Sequence, residues 1–184
     1  MTTTPVKTVI LRTGAVLAST GVMLGMLTAC TPEPEPTPTK TALFASEEEA
    51  FAAAEETYRE FTNRLNEVDT SDPRTFEPLF DLSTGEFEEA DRKTYSTLHA
   101  ENYSITGDTV VARFNGVESE NSHQTVIAAV CLDVSRVEVT DASGVSKVDP
   151  NRPDVYAIEV TFVAERGQLL IAKATQTEDQ ECGG

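Results

Sequence analysis

Three cysteines, two histidines and one aspartate inside an apolar run are the side chains whose types and positions could do chemistry in this sequence of 184 residues. Cys30 closes an apolar segment, Cys131 lies within an alternating apolar run, and Cys182 follows an acidic stretch. A thiol can be a nucleophile, a metal ligand or half of a disulfide. Nucleophilic use requires a positive neighbour to favour the thiolate, and no basic residue adjoins Cys131 or Cys182. Two cysteines with distant His99 and His123 do not form a zinc-ligand spacing, so no metal and no cofactor are expected. Asp133 interrupts an apolar strand on the same parity as Cys131, where an acid held in an apolar pocket could act as a general base. His99 is expected near the C-terminus of a helix, where the dipole stabilises an imidazolium. In an enzyme reading Asp133 would be the base, with His99 or a tyrosine, Tyr58 or Tyr95, polarising a carbonyl. No phosphate loop, nucleophile elbow, zinc-protease motif or calcium loop is present.

The segment that ends at Cys30 is expected to be an export signal. Lys7 and Arg12 supply positive charge, Gly14 to Leu27 is apolar and uncharged, and small residues precede the cysteine. The apolar run falls short of the ~20 residues that span a ~30 Å hydrocarbon core, so a permanent transmembrane helix is not expected. Leu27-Thr28-Ala29-Cys30 resembles the lipobox of bacterial lipoproteins. The resemblance implies diacylglycerol on the Cys30 sulfur and cleavage before it, so that residues 1–29 are a signal peptide. Two or three acyl chains, each contributing about 0.8 kcal/mol per buried methylene, anchor firmly.

Residues 30–45 would then be a lipidated tether. Prolines at 32, 34, 36 and 38 fix φ at alternate residues and remove amide donors, which excludes helix and sheet. At ~3.1 Å per residue a ten-residue polyproline stretch reaches on the order of 30 Å. With Cys30 acylated, Cys131 and Cys182 remain as an even pair in an oxidising compartment, and a disulfide between them is expected. The expected localisation is the extracytoplasmic face of the cell membrane, reached through a lipid anchor.

Charge narrows the partners. Against 31 acidic residues stand 14 basic ones, a net charge of −17. Such a surface repels phosphate backbones, so no nucleic-acid partner is expected.

The elements that position these groups occupy residues 46–182, a single domain. Ser46-Glu47-Glu48-Glu49 forms a capping box in which Glu49 can reach back to the Ser46 amide. Phe51, Ala54, Tyr58, Phe61, Leu65 and Val68 recur at helical steps, predicting a helix from Glu47 to about Val68. Asp72-Pro73 starts a short helix to about Leu82. Ser83 or Thr84 caps a third from Gly85 to about Ala100, with Phe87, Ala90, Tyr95 and Leu98 inward. After Gly107 the period becomes 2. Strands are predicted over Thr109–Val117, Gln124–Val139 with a bulge or bend near Ser135, Val145–Val148, Tyr156–Ala164, and Leu169–Thr175 after a Glu165-Arg166-Gly167 hairpin.

Helices followed by antiparallel strands give an α+β fold, with N-terminal helices packed on a curved, bulged sheet. This order resembles the nuclear-transport-factor-2-like fold, the cystatin-like cone shared with ketosteroid isomerase. Ala45-Ser46-Glu47-Glu48-Glu49-Ala50, Ala129-Val130-Cys131-Leu132-Asp133-Val134-Ser135 and the C-terminal cysteine are similar to lipoproteins of unknown function from actinobacteria. The resemblance carries no catalytic motif. Two readings follow. The first is a membrane-anchored, non-catalytic module that binds an envelope protein or a small ligand. The alternative is a small cyclase- or isomerase-like enzyme with Asp133 as the base in a cone pocket, which needs Asp133 to face inward with a perturbed pKa.

Overall fold

A computed structural model of the chain describes residues 42–178 and Cys182. The signal peptide (1–29), the lipobox Leu27-Thr28-Ala29-Cys30 and the tether up to residue 41 lie outside the described residues.

The capping box starts α1, Glu47–Asn66. The Ser46 hydroxyl accepts from the Glu49 amide at 3.2 Å. The Glu49 carboxylate closes the return bond on the Ala45 amide (2.9 Å), one residue before the expected Ser46. Ala50, Ala54, Tyr58, Phe61 and Thr62 form the buried stripe. The helix stops at Asn66, earlier than Val68. There the Asn66 side chain leaves its own helix, donating to the Thr109 carbonyl and accepting from the Thr109 amide, both at 2.9 Å.

The expected second helix is two short pieces. Asp72 caps a 3₁₀ turn, Pro73–Thr75, and α2 spans Glu77–Phe80. The third helix, α3, covers Gly85–Ala100 as predicted. Its inward stripe differs, however: Ala90 is exposed, while Asp91 lies half-buried between Phe87 and Tyr95. Thr84 occupies the cap position without making a cap bond. Its hydroxyl instead donates to the Glu165 carboxylate at 3.0 Å.

Among the described residues six strands follow: β1 Ser104–Thr106, β2 Val110–Glu120, β3 Thr125–Asp133, β4 Glu138–Thr140, β5 Val155–Glu165 and β6 Gln168–Thr177. Strands β2-β3-β5-β6 make one antiparallel sheet in that order. Register shifts at Val111/Arg113, Gly116/Glu118 and Thr161/Phe162 bend it. The single long strand expected over Gln124–Val139 is divided. The predicted bend releases the chain after Asp133, and β4 pairs with β1 in a separate two-stranded sheet. Arg152 holds that bend by donating to the carbonyls of Val134 (2.8 Å) and Val137 (2.5 Å). No strand forms over Val145–Val148; the return after the Asp141–Gly144 turn is reduced to a bridge between Thr140 and Ser146. The hairpin falls where expected, with Arg166 and Gly167 at φ +53° and +83°, the left-handed pair of a two-residue turn.

Alternation assigns the sheet faces. Val126, Ala128 and Val130 of β3 pair with Phe162, Val160 and Ile158 of β5, and these face the helices. Cys131 and Asp133 have the opposite parity. Between sheet and helices lies a cluster of rings. Tyr58 meets Phe162 edge-on at 6.3 Å, Phe114 meets Phe162 at 6.2 Å, and Phe61 meets Phe87 at 5.5 Å. Phe51 lies so close over Gly116 that a Cβ there would sit 2.3 Å from its ring. The space between sheet and helices is therefore occupied by aromatic side chains.

Candidate functional site

The sequence candidates are not brought together. Asp133 ends β3 on the face turned away from the helices. Its carboxylate accepts from the Ser135 amide at 2.9 Å. Hydrogen bonds from Ser135, with the Arg136 guanidinium adding its charge, hold the carboxyl below the usual range. The inward position that the enzyme alternative requires of Asp133 is not what the strand gives it. The alternation that puts Cys131 outside puts Asp133 there too, and an acid kept ionised in an Asx turn is a poor base. His99 is in the last turn of α3 as expected. Its Nδ1 donates to the Thr70 carbonyl at 2.8 Å, and the Thr70 hydroxyl donates to the Tyr103 carbonyl at 2.6 Å. The histidine thus fastens the segment before α2 to the end of α3. His123 meets the Ser119 hydroxyl at 2.7 Å in the β2–β3 turn.

Cys131 and Cys182 are bonded, with S–S 2.02 Å and Cα–Cα 5.4 Å. Among the described residues no cluster of three or more His, Cys, Asp or Glu could hold a metal ion, and no helix is long and apolar enough to cross a membrane.

The perturbed carboxyl is one that periodicity did not single out. Asp91 sits in the inward stripe of α3, four residues before Tyr95. Burial pushes its pKa up to about 6. Burial, reinforced by the charge of Asp91, also raises the phenols of Tyr58 and Tyr95. Asp91 has no ion-pair partner among the described residues, because Arg92 turns to Glu88 (2.8 Å) and Glu77 (3.2 Å) and stacks over Phe80 at 4.1 Å. A sequence signal was available: the i, i+4 spacing Phe87-Asp91-Tyr95 runs through the aspartate rather than through Ala90. The arrangement is one carboxyl that titrates near neutrality beside two neutral phenols.

A stability consequence follows. The folded-state pKa of Asp91 lies above the unfolded value near 3.9, so the folded form binds more protons between these pH values. Stability should therefore fall as pH rises from about 4 to about 6, and this contribution should be flat above. Asp91→Asn should remove that slope and raise stability at pH 7 by about 1–2 kcal/mol, allowing for the solvent that reaches the group. Urea titrations of both proteins at pH 4, 5, 6 and 7 check this; parallel curves would show that Asp91 is not the cause.

Of the described hollows, the largest runs between the outward side of α1 and the β5–β6 turn, about 800 Å³. Phe44, Ala52, Ala53, Leu82 and Leu169 form its floor, and Glu55, Glu56 and Glu60 stand along it with Arg59. The groove exists because the alanines at 52 and 53 present no bulk beside the turn at Gly167. The Thr57 hydroxyl, donating to the Leu169 carbonyl at 3.3 Å, closes its base. Glu56 is exposed and Glu55 and Glu60 half-exposed, and the small alanines before them leave the apolar trough open.

No protein-family model matches the sequence, and no curated protein does. Solved structures are similar to it. The intermembrane-space region of the chloroplast protein ARC6 superposes with a TM-score of 0.52 at 9% identity, covering 70% of this chain and 97% of that one. The domain is α+β, with helices packed on one face of a bent antiparallel sheet, and its likeness to this structure is one of fold. Aln2 from a Streptomyces species is matched at 14% identity over 74% of this chain and 95% of its own, TM-score 0.45. A protein from Catenulispora Acidiphila is matched at 16% over 73% and 94%, TM-score 0.47. At these identities the likeness is one of fold, and the cone's function has to be argued from its own residues.

Proposed function

We propose that the chain is an exported lipoprotein. In this reading Leu27-Thr28-Ala29-Cys30 is processed, Cys30 carries the lipid, and residues 30–45 hold the cone (46–182) off the extracytoplasmic face of the cell membrane. The cone is a non-catalytic module that binds an envelope protein or a small ligand. The observation that carries this reading is the Cys131–Cys182 bond, since it accounts for both remaining sulfurs in the way an oxidising compartment would. The lipobox-like run Leu27-Thr28-Ala29-Cys30 at the end of an apolar segment supports it. So do the interior packed with rings and an Asp133 locked in a turn.

Mass spectrometry of the chain from its native membrane should find residues 1–29 absent and an acyl adduct on Cys30. Cys30→Ala should abolish the adduct and move the chain out of the membrane fraction. An unprocessed Met1 form in the cytosol with three free thiols would refute the proposal.

A cyclase- or isomerase-like reading no longer has Asp133. It would rest on Asp91 with Tyr58 and Tyr95, the acid whose pKa suits proton transfer near neutrality. For a binding module, Asp91→Asn changes stability and its pH dependence alone, whereas for an enzyme it abolishes turnover.

A further inference from the structure

The trough along α1 joins an apolar floor to an acidic rim on a chain of net charge −17. We infer that it docks a basic, amphipathic helical segment of a partner protein. Three observations favour this occupant.

The first is the floor. Phe44, Ala53 and Leu82 are only half-buried and Ala52 is exposed, whereas Leu169 beneath them is already covered. Apolar surface of this kind is covered favourably only by apolar side chains.

The second is the rim. Glu55 is held by Arg59 (2.8 Å) and Glu60 by Arg64 (2.7 Å), both one turn apart on α1. Glu56 has no ion-pair partner among the described residues. With Arg59 and Arg64 set against Glu55 and Glu60, Glu56 is the unbalanced carboxylate of the rim, which disfavours acidic segments and phosphates and attracts lysine or arginine.

The third is length. On α1 the trough runs from Ala52 to Asn63. At 1.5 Å per residue this is on the order of 17 Å, or about three turns of a docked helix. Such a helix would place apolar residues at i, i+3, i+4 and i+7 on the floor and cations on the side facing Glu56.

This inference deepens the binding-module reading and rests on it. Its test does not depend on lipid at Cys30, so failure of the anchor and failure of the docking site are told apart.

The probe is a labelled 14-residue leucine–lysine peptide with leucines at helical spacing, beside a scrambled peptide of the same composition. Binding to the full chain in non-ionic detergent is followed by fluorescence anisotropy. Saturable binding of the helical peptide is expected, weakened at least tenfold by Glu56→Lys and by Ala52→Trp, which fills the trough from an exposed helix position. Glu118→Lys makes the same change in net charge on β2, away from the trough, and should alter the affinity less than twofold. Circular dichroism identifies any variant that fails to fold; Ala52→Gln is the milder substitute.

Equal binding of the scrambled peptide would overturn the inference, as would equal losses in Glu56→Lys and Glu118→Lys. Either result would mean that net charge alone attracts the probe. Self-association of the chain abolished by Ala52→Trp would also overturn it, by assigning the trough to a second copy.

Discussion

Phe162→Ala is expected to lower the stability of the folded domain by about 3–5 kcal/mol. Phe162 is fully buried on the inner face of β5, which has a hydrogen-bonded neighbour on each side. It stands opposite Val126 of β3 and Ile171 of β6. Its ring receives Tyr58 edge-on at 6.3 Å and Phe114 at 6.2 Å, so deletion strips partners from both the helix and the far strand. The surrounding strands are held by ladder bonds and cannot close over the void, which puts the loss toward the upper part of the range for a buried ring. Domains of this size are stable by about 5–15 kcal/mol, so the change takes a large share of the total. Urea unfolding should show a lower midpoint at unchanged m-value. Phe162→Leu, which keeps most of the volume, should lose less than about half as much. A loss below about 1 kcal/mol for the alanine variant, well under the range for a buried ring, would mean that the cone interior is loosely filled, and would reopen the question of an internal ligand.

The residues that made this core readable also mark where reading stopped. Tyr58 and Phe61 repeat at helical spacing and Val126, Ala128 and Val130 at strand spacing. Each pattern is enforced by burial on one side, so α1, α3, β3, β5 and the α+β order were legible in the chain. The division after Asp133 was legible as a phase switch. Its outcome, a separate sheet with β1, was not, because a bend can be a bulge or a departure depending on tertiary partners such as Arg152. The three-residue β1 is specified by its pairing with β4 and carries no periodic signal of its own. At the candidate site, parity with Cys131 was read correctly for Asp133. What one strand's alternation cannot say is which of its two faces meets the helices, and that decided the fate of the aspartate. Asp91 was missed because an aspartate within an inward stripe scores as an interruption, although burial is what gives it chemical interest. The trough depends on Ala52 and Ala53 being small beside a hairpin far away in sequence, and no local pattern encodes such a juxtaposition.

Breaking the Cys131–Cys182 bond is the other large effect. The bridge closes a loop of 51 residues that contains β4, β5 and β6. In the chain-entropy account a loop of that length removes about 4 kcal/mol of freedom from the unfolded state. The native structure has little reason to change when the bond is cut, since β6 is already paired with β5 from Gln168 to Thr177. The penalty therefore falls on the equilibrium rather than on the fold, and the loss should appear chiefly through the unfolded chain. Cys182→Ser is the cleaner variant, because Cys182 is half-exposed and the serine hydroxyl can meet water. Cys131 is 5% exposed, so a serine there would add the burden of a buried hydroxyl and should be worse by a further ~1 kcal/mol or more. In calorimetry Cys182→Ser should melt lower by on the order of 10–20 °C. A reductant should bring the wild-type protein to the same point while leaving the variant unmoved. If wild type and variant melt together without reductant, the two sulfurs are not paired in the protein, and the argument from the disulfide to an oxidising compartment falls with them.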